Sequence, residues 1–457
     1  MRTPAPLSDT DTICAPATPP GEGAVGIVRL SGPDAVALAA RHFRTSAGER
    51  LEDVPTHSVR HGFAVDGAGQ RLDEALAIVM RAPRSYTRED VVEIQCHGGG
   101  ASVRAVLAAL LASGCRMAEP GEFTRRAFLN GRIDLAQAEA VLEVIHARTD
   151  LQQRLAQRQL AGALSHELAE VAETLRDLAA RMEAAIDFPD EDTDLPDTVR
   201  AGLADAARRL GAVVAGARSG VLLREGVRLA ILGRPNVGKS SLLNRLLGYD
   251  RAIVADLPGT TRDVVDAEMV IGGVRFVVQD TAGIRAPADA VEAEGVARSR
   301  SAAAGADLRL LVLDGSAPLC DDDRELLARH GGPGSLVAVN KCDLPTRASL
   351  PAGLAAIPVS ARGGAGLDAL KAALAARVAA PGHPLEHAFL VTLRQQAALE
   401  QAARAAAGAR DGLAAGAYPE LVAADLRAAL DALGEITGET TTDDLLDRIF
   451  SRFCIGK

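Results

Sequence analysis

The stretch VRLAILGRPNVGKSSLLNRLLG, residues 227–248, constrains this 457-residue chain more than any other. Its centre, Gly233 to Ser240, fits G-x-x-x-x-G-K-S, with β-rich residues before it and a helical pattern after it. A strand that ends in such a glycine turn and restarts as a helix aims several backbone N–H groups at one point, where phosphate oxygens are held. Lys239 then supplies charge at the β and γ phosphates, and Ser240 a ligand for Mg2+. Between about 220 and 379 the strand-like runs RFVVQD, LRLLVLDG, SLVAVN and IPVSA alternate with loops and helical stretches. That alternation is the pattern of an α/β domain with a mainly parallel sheet.

Downstream come GTTRD (259–263), DTAG (280–283), NKCD (340–343) and SAR (360–362), in an order that resembles the translation-factor-like GTPases. Asp343 can accept hydrogen bonds from the N1–H and N2 amino edge of guanine; adenine offers no such pair and would leave the carboxylate unmatched. Lys341 is expected to lay its stem along the base, Asn340 to brace the loop, and Ser360, Ala361 and Arg362 to cover the far side. The remaining nucleotide contacts are expected from Asn236, Val237, Gly238, Lys239, Ser240 and Ser241, from Ala255, Asp256, Leu257, Pro258, Gly259, Thr260 and Thr261, and from Asp280, Thr281, Ala282 and Gly283. Thr261 is the expected second Mg2+ ligand, Asp280 a water-mediated one, and the Gly283 N–H a γ-phosphate sensor. Ras-like enzymes place a water-orienting glutamine after D-x-x-G, where this chain has Ile284. Another group must position the water. Arg262 and Arg285 are candidates for transition-state charge, and solvated switch-loop arginines are the equal alternative.

Outside the α/β stretch the pattern changes twice. Residues 1–125 mix strand-like VGIVRL, ALAIVM and VVEIQC with the helical ASVRAVLAALLASG, which predicts an α+β module. GEGAVG fits a dinucleotide fingerprint, but prolines precede it and β-branched IVRL follows, so it reads as a loop. In VVEIQC, Val92, Ile94 and Cys96 share one face of a strand, and Glu93 lies on the other with Val91 and Gln95. Residues 126–219 are helical apart from the acidic, proline-bearing DFPDEDTDLPDT, and 380–457 are helical again, with Val422, Leu426, Leu430 and Leu433 as an apolar stripe. The simplest architecture is an all-α domain formed by two chain segments, interrupted by the inserted P-loop domain.

Aromatics make up only 3% of the residues and Trp is absent, which favours closely packed helices over an aromatic binding surface. The formal charge of −10 argues against broad, non-specific attachment to nucleic acid; any RNA contact is local or shared with a partner. Six cysteines without a C-x-x-C pair read as reduced thiols, and no signal peptide or apolar span is visible, so a cytoplasmic protein without membrane attachment is expected. Cys454 stands fourth from the end, yet Gly456, Lys457 and the lack of a polybasic run argue against prenylation.

The stretches ATPPGEGAVGIVRLSG, PGEFTRRAFLNGRIDLAQAEAV, AAIDFPDED, GRPNVGKSSLLNRL, GTTRDV, DTAGIR and EITGETTTDDLLDRIFSRFCIGK together resemble the MnmE (TrmE) family of tRNA modification GTPases across nearly the full chain. The resemblance implies an N-terminal folate-binding and dimerising domain (1–125), a helical domain in two segments (126–219 and 380–457) and the inserted G domain (220–379). It implies a homodimer joined through the N-terminal domain. With the FAD-containing partner MnmG, in a heterotetramer, the family adds an aminomethyl or carboxymethylaminomethyl group to C5 of the wobble uridine of certain tRNAs. The carbon comes from 5,10-methylene-tetrahydrofolate, for which 5-formyl-tetrahydrofolate is an analogue. GTP hydrolysis requires K+, carried over here onto Asn236, Thr260 and the carbonyls of Ala255 and Leu257; Glu292 matches the water-orienting glutamate. The folate positions are Arg29, Glu93, Arg132 and Lys457. Cys454 would stand beside the one-carbon unit, with chemistry and positioning both open as its role. The rival reading is a regulatory GTPase of the ribosome-assembly type, which shares the G motifs but lacks the N-terminal module and the FCIGK tail.

Overall fold

The computed structural model describes residues 11–187, 197–249, 267–278, 305–379 and 382–457. Two compact units emerge, one drawn from Met1–Leu142 and Gly434–Lys457, the other from Glu143–Leu433.

The first unit is built on seven strands: β1 (Ile13–Pro16), β2 (Val25–Ser31), β3 (Phe43–Thr45), β4 (Ser58–Val65), β5 (Arg71–Met80), β6 (Val91–His97) and β7 (Arg116–Met117), in the order β3-β4-β5-β6-β2-β1-β7. Only β1 and β7 run parallel. The two-residue period of a strand sends Val28 and Leu30 of β2 and Val92 and Ile94 of β6 to one face, where α1 (Ala35–His42) and α2 (Gly100–Ala112) cover them with Val36, Ala39, Val106 and Leu110. Arg29 and Glu93 are thereby left on the opposite face, directly across from each other in the ladder. GEGAVG is a loop that enters β2 at Val25. Helix α3 (Glu122–Leu129) packs against the last helix, Asp443–Phe450, while α4 (Leu135–His146) leads out of this unit.

In the second unit, α5 (Asp150–Leu160), α6 (Ala163–Asp187) and α7 (Asp197–Glu225) precede the P-loop sheet. A capping box of Thr149 and Gln152 starts α5, satisfying N–H groups that would otherwise lack partners. Leu164, Leu168, Val171, Leu175, Leu178 and Met182 give α6 a buried stripe at helical spacing. The sheet comprises β8 (Val227–Leu232), β9 (Ala267–Ile271), β10 (Val274–Val278), β11 (Leu308–Asp314), β12 (Ser335–Asn340) and β13 (Ala356–Pro358), ordered β13-β12-β11-β8-β10-β9. All neighbours are parallel except the β9–β10 hairpin. Helix α8 (Lys239–Tyr249) follows the P-loop, and α9 (Asp321–His330) and α10 (Leu367–Ala376) complete the α/β layer.

After the sheet, α11 (Leu393–Ala414) returns to pack along α7. Its buried face is mostly small, with Ala398, Ala402, Ala406 and Ala409, so an alanine-rich, aromatic-poor sequence achieves close helix contact. In α12 (Pro419–Thr437), Val422, Leu426 and Leu433 are buried and Leu430 half-buried. The α+β module, the helices from both sides of the insertion and the P-loop sheet are thus all present. One feature was invisible in the sequence: Leu151, Leu155 and Ala156 of α5 lie in the same core as Met269, Ile271, Val274 and Phe276 of the β9–β10 hairpin. The hairpin turn rests on α5, where a Cβ added at Gly273 would lie 3.0 Å from that of Leu151. Beside it, Glu268 is paired with both Arg148 (3.2 Å) and Arg275 (3.0 Å).

Candidate functional site

The nucleotide corner begins where β8 ends. Gly238 has φ +97° and an added Cβ would lie 2.2 Å from Asn340 Nδ2, so only glycine fits between the P-loop and the end of β12. Asn340, 2% exposed, joins two loops: its Nδ2 donates to the Val237 carbonyl (2.8 Å), and its Oδ1 accepts from the Ala361 N–H (3.0 Å). Asn236 takes the left-handed conformation at φ +63°. Lys239 opens α8 with its Nζ held over the P-loop by the carbonyls of Gly233 (2.7 Å) and Arg234 (2.9 Å). Burial lowers its pKa below the usual lysine value, and polyphosphate beside it would push that pKa back up. Ser240 and Ser241 follow in the first turn of α8.

Asp343 accepts a 2.6 Å hydrogen bond from Ser360 Oγ. That bond, with help from the Arg362 charge, keeps its carboxyl below the usual range and therefore ionised for guanine. Lys341, at φ +67°, is fixed by Asp314 at 2.6 Å, a partner that motif reading had not supplied. Burial pushes Asp314 up, but the Lys341 and Ser316 hydrogen bonds outweigh it and hold the acid low. The P-loop itself is anchored by Arg234, 3.3 Å from the buried Asp323 at the start of α9. Ala255, Asp256, Leu257, Pro258, Gly259, Thr260, Thr261, Asp280, Thr281, Ala282, Gly283 and Glu292 lie outside the described residues, as do Arg262, Ile284 and Arg285.

In the first unit, Arg29 Nε meets Glu93 Oε1 at 2.8 Å, with both side chains mostly buried. Arg29 Nη1 also donates to the Gly456 carbonyl at 3.3 Å. Gly456 has φ +93° and so little room that an added Cβ would lie 2.0 Å from the Pro16 carbonyl. The tail is fastened again by the Gly121 N–H, which donates to the Cys454 carbonyl at 3.4 Å. Cys454 itself is exposed. Burial, and then the Arg29 charge, lower the pKa of Lys457. The corner thus combines a carboxylate, a guanidinium and an ammonium, donors and acceptors together on one sheet face. Arg132 does not reach Glu93; its guanidinium lies 4.8 Å from the centre of the Tyr86 ring, the ring that Arg29 approaches at 5.5 Å.

Tyr86 was not singled out by sequence, and its support shows why. Its hydroxyl bonds Thr124 at 2.9 Å, while Asn130 Nδ2 donates to the Thr87 carbonyl at 2.7 Å. Nearby, Arg126 pairs with Asp11 (2.6 Å), Glu89 (3.2 Å) and Glu122 (3.0 Å), and Arg116 pairs with Asp11 and Glu122, both at 2.5 Å. This network spans residues 11 to 126, so no local motif announces it.

Two family profiles match: the GTP-binding protein TrmE N-terminus over residues 12–132 and the MnmE helical domain over 135–454. The tRNA modification GTPase MnmE of Syntrophotalea carbinolica is 48% identical over 99% of this chain and all of its own length. The chain belongs to the MnmE family of tRNA modification GTPases. The MnmE of Geobacter sulfurreducens is 49% identical, with 98% of this chain and 99% of the relative covered. Among solved structures, the G domain of the T. maritima FeoB iron transporter is similar over 33% of this chain and 98% of its own, at 23% identity and a TM-score of 0.25. As an MnmE-family enzyme the chain hydrolyses GTP and acts in tRNA modification. Among its described residues no helix is long and apolar enough to cross a membrane.

Proposed function

We propose that this chain is the K+-dependent GTP-hydrolysing subunit that works with an MnmG-type FAD protein to modify C5 of the wobble uridine of certain tRNAs. The observation that carries the folate part is the meeting of Arg29, Glu93 and the Gly456–Lys457 tail on one sheet face. Glu93 would accept from the amidine edge of a pterin, as Asp343 would from guanine, and Arg132 would flank the ligand over Tyr86. A bound methylene-tetrahydrofolate supplies the one-carbon unit. Cys454 lies on the same tail, where it either reacts or positions.

For hydrolysis, Lys239 and the P-loop N–H groups hold the β and γ phosphates, Ser240 and Thr261 hold Mg2+, and Asp280 and Gly283 complete the γ-phosphate shell. Asn236, Thr260 and the carbonyls of Ala255 and Leu257 would hold K+, placing positive charge where other GTPases use an arginine finger. Glu292 would orient the attacking water. Residues 1–125 would bind folate and form the homodimer, 126–219 and 380–457 the helical domain, and 220–379 the G domain, in a cytoplasmic heterotetramer with MnmG.

The test is calorimetric titration of 5-formyl-tetrahydrofolate into the full chain and into a version lacking Cys454–Lys457. Binding that weakens at least tenfold on truncation supports the reading. No binding to the full chain refutes the folate assignment.

A further inference from the structure

We infer that the groove beside Tyr86 is an anion subsite for the γ-linked glutamate carboxylates of the folate carrier, so that the protein prefers polyglutamylated folate. The inference rests on the folate reading above and extends it from Arg132 to Arg84 and His57, which none of the matched motifs covers.

The groove has a volume of about 620 Å3 and is lined by His57, Met80, Pro83, Arg84, Tyr86 and Arg132. It starts at the folate corner, since the Tyr86 ring neighbours both Arg29 of that corner and Arg132 of the groove. Its basic residues differ from those around it. Arg29 is engaged by Glu93, Arg81 by Asp90, Arg116 by Asp11 and Glu122, and Arg126 by Asp11, Glu89 and Glu122. Arg88 donates to the Asn130 carbonyl. Arg84 and Arg132, by contrast, meet no carboxylate among the described residues, in a chain whose net charge is −10. Two guanidinium groups left unmatched by an acidic protein, with an imidazole beside them, form a field that selects carboxylates.

The groove is also prebuilt. The loop carrying Arg84 and Tyr86 is clamped to α3 and the segment after it by the Tyr86–Thr124 and Asn130–Thr87 hydrogen bonds and by the Glu89–Arg126 ion pair. Binding a flexible, multiply charged tail there orders the ligand without reordering the protein.

The experiment compares 5-formyl-tetrahydrofolate carrying one and three glutamates, titrated calorimetrically into the full-length parent and into Arg84→Gln. In the parent the triglutamate should bind roughly 5- to 20-fold tighter, the range for a few solvent-exposed carboxylate–guanidinium contacts. The advantage should shrink as salt is raised, and Arg84→Gln should lose most of it while binding the monoglutamate like the parent. Equal affinity for both ligands in the parent overturns the subsite but leaves the folate corner standing. An advantage that survives in Arg84→Gln also overturns it. If neither ligand binds, the folate reading fails and the subsite fails with it.

Discussion

Replacing Asn340 by alanine should damage the nucleotide site by releasing the two loops that its side chain joins. The side chain is 2% exposed and satisfies one acceptor, the Val237 carbonyl, and one donor, the Ala361 N–H. Truncation orphans both, at about 1–3 kcal/mol for each unsatisfied buried group, or about 2–6 kcal/mol together. If the loops hold their places, the cost appears in unfolding free energy; if they part, it appears in GTP affinity, at about 1.4 kcal/mol per tenfold. Denaturant unfolding and titration with a fluorescent GTP analogue in Mg2+ measure the two shares. Gly238→Ala is the independent check, because its Cβ would drive into Asn340 Nδ2 from the other side and should give the same loss of affinity. Should both variants keep stability and GTP affinity within about 0.5 kcal/mol of the parent, the bridge has no energetic role.

The tail, the ion network and the acid limb give three further expectations. Gly456→Ala cannot keep φ +93° and the Pro16 approach together, so 5-formyl-tetrahydrofolate binding should fall at least tenfold while GTP hydrolysis by the same preparation stays at the parent rate. Arg126→Met strands Glu89 and leaves Asp11 and Glu122 to Arg116 alone, and should destabilise the first unit by about 3 kcal/mol, the low end for a broken buried pair, in denaturant melts. Arg60→Met, which breaks a more exposed pair with Glu49, should cost under about 1 kcal/mol in the same assay. Burial pushes the Glu122 carboxyl up, but Arg116 and Arg126 more than offset it, so its pKa lies below the ordinary value. Its contribution is therefore present above the unfolded pKa of about 4.3 and is lost as pH falls through the lower folded value. Stability measured from pH 7 downward should drop on that limb, and Glu122→Gln should flatten the drop.

The legible parts of this protein were those set by short-range rules. The P-loop announced itself through a strand, a glycine turn and a helix within 22 residues, and β8 and α8 stand where that pattern puts them. Strand alternation separated Glu93 from Val92, Ile94 and Cys96, and the latter three are buried as read. Asp314 escaped notice because it meets Lys341 only when β11 and β12 lie side by side. Tyr86 escaped because a lone tyrosine in a loop carries no periodicity; its position depends on Thr124, far along the chain. The burial of Leu151 and Leu155 in the α/β core was hidden for a similar reason: a stripe at helical spacing says that a face is covered, but not by what.

That last packing has a mechanical meaning. In sequence the β9–β10 hairpin lies between GTTRD and DTAG, the two motifs to which the proposed mechanism gives the γ-phosphate. Its turn bears on Leu151, its Glu268 grips Arg148 just ahead of α5, and its apolar face shares a core with Leu155. A hairpin seated in this way is a strut, not a flap. Close-packed side chains transmit a displacement instead of absorbing it, so a hairpin drawn along its own axis must load the first turn of α5 in the same stroke.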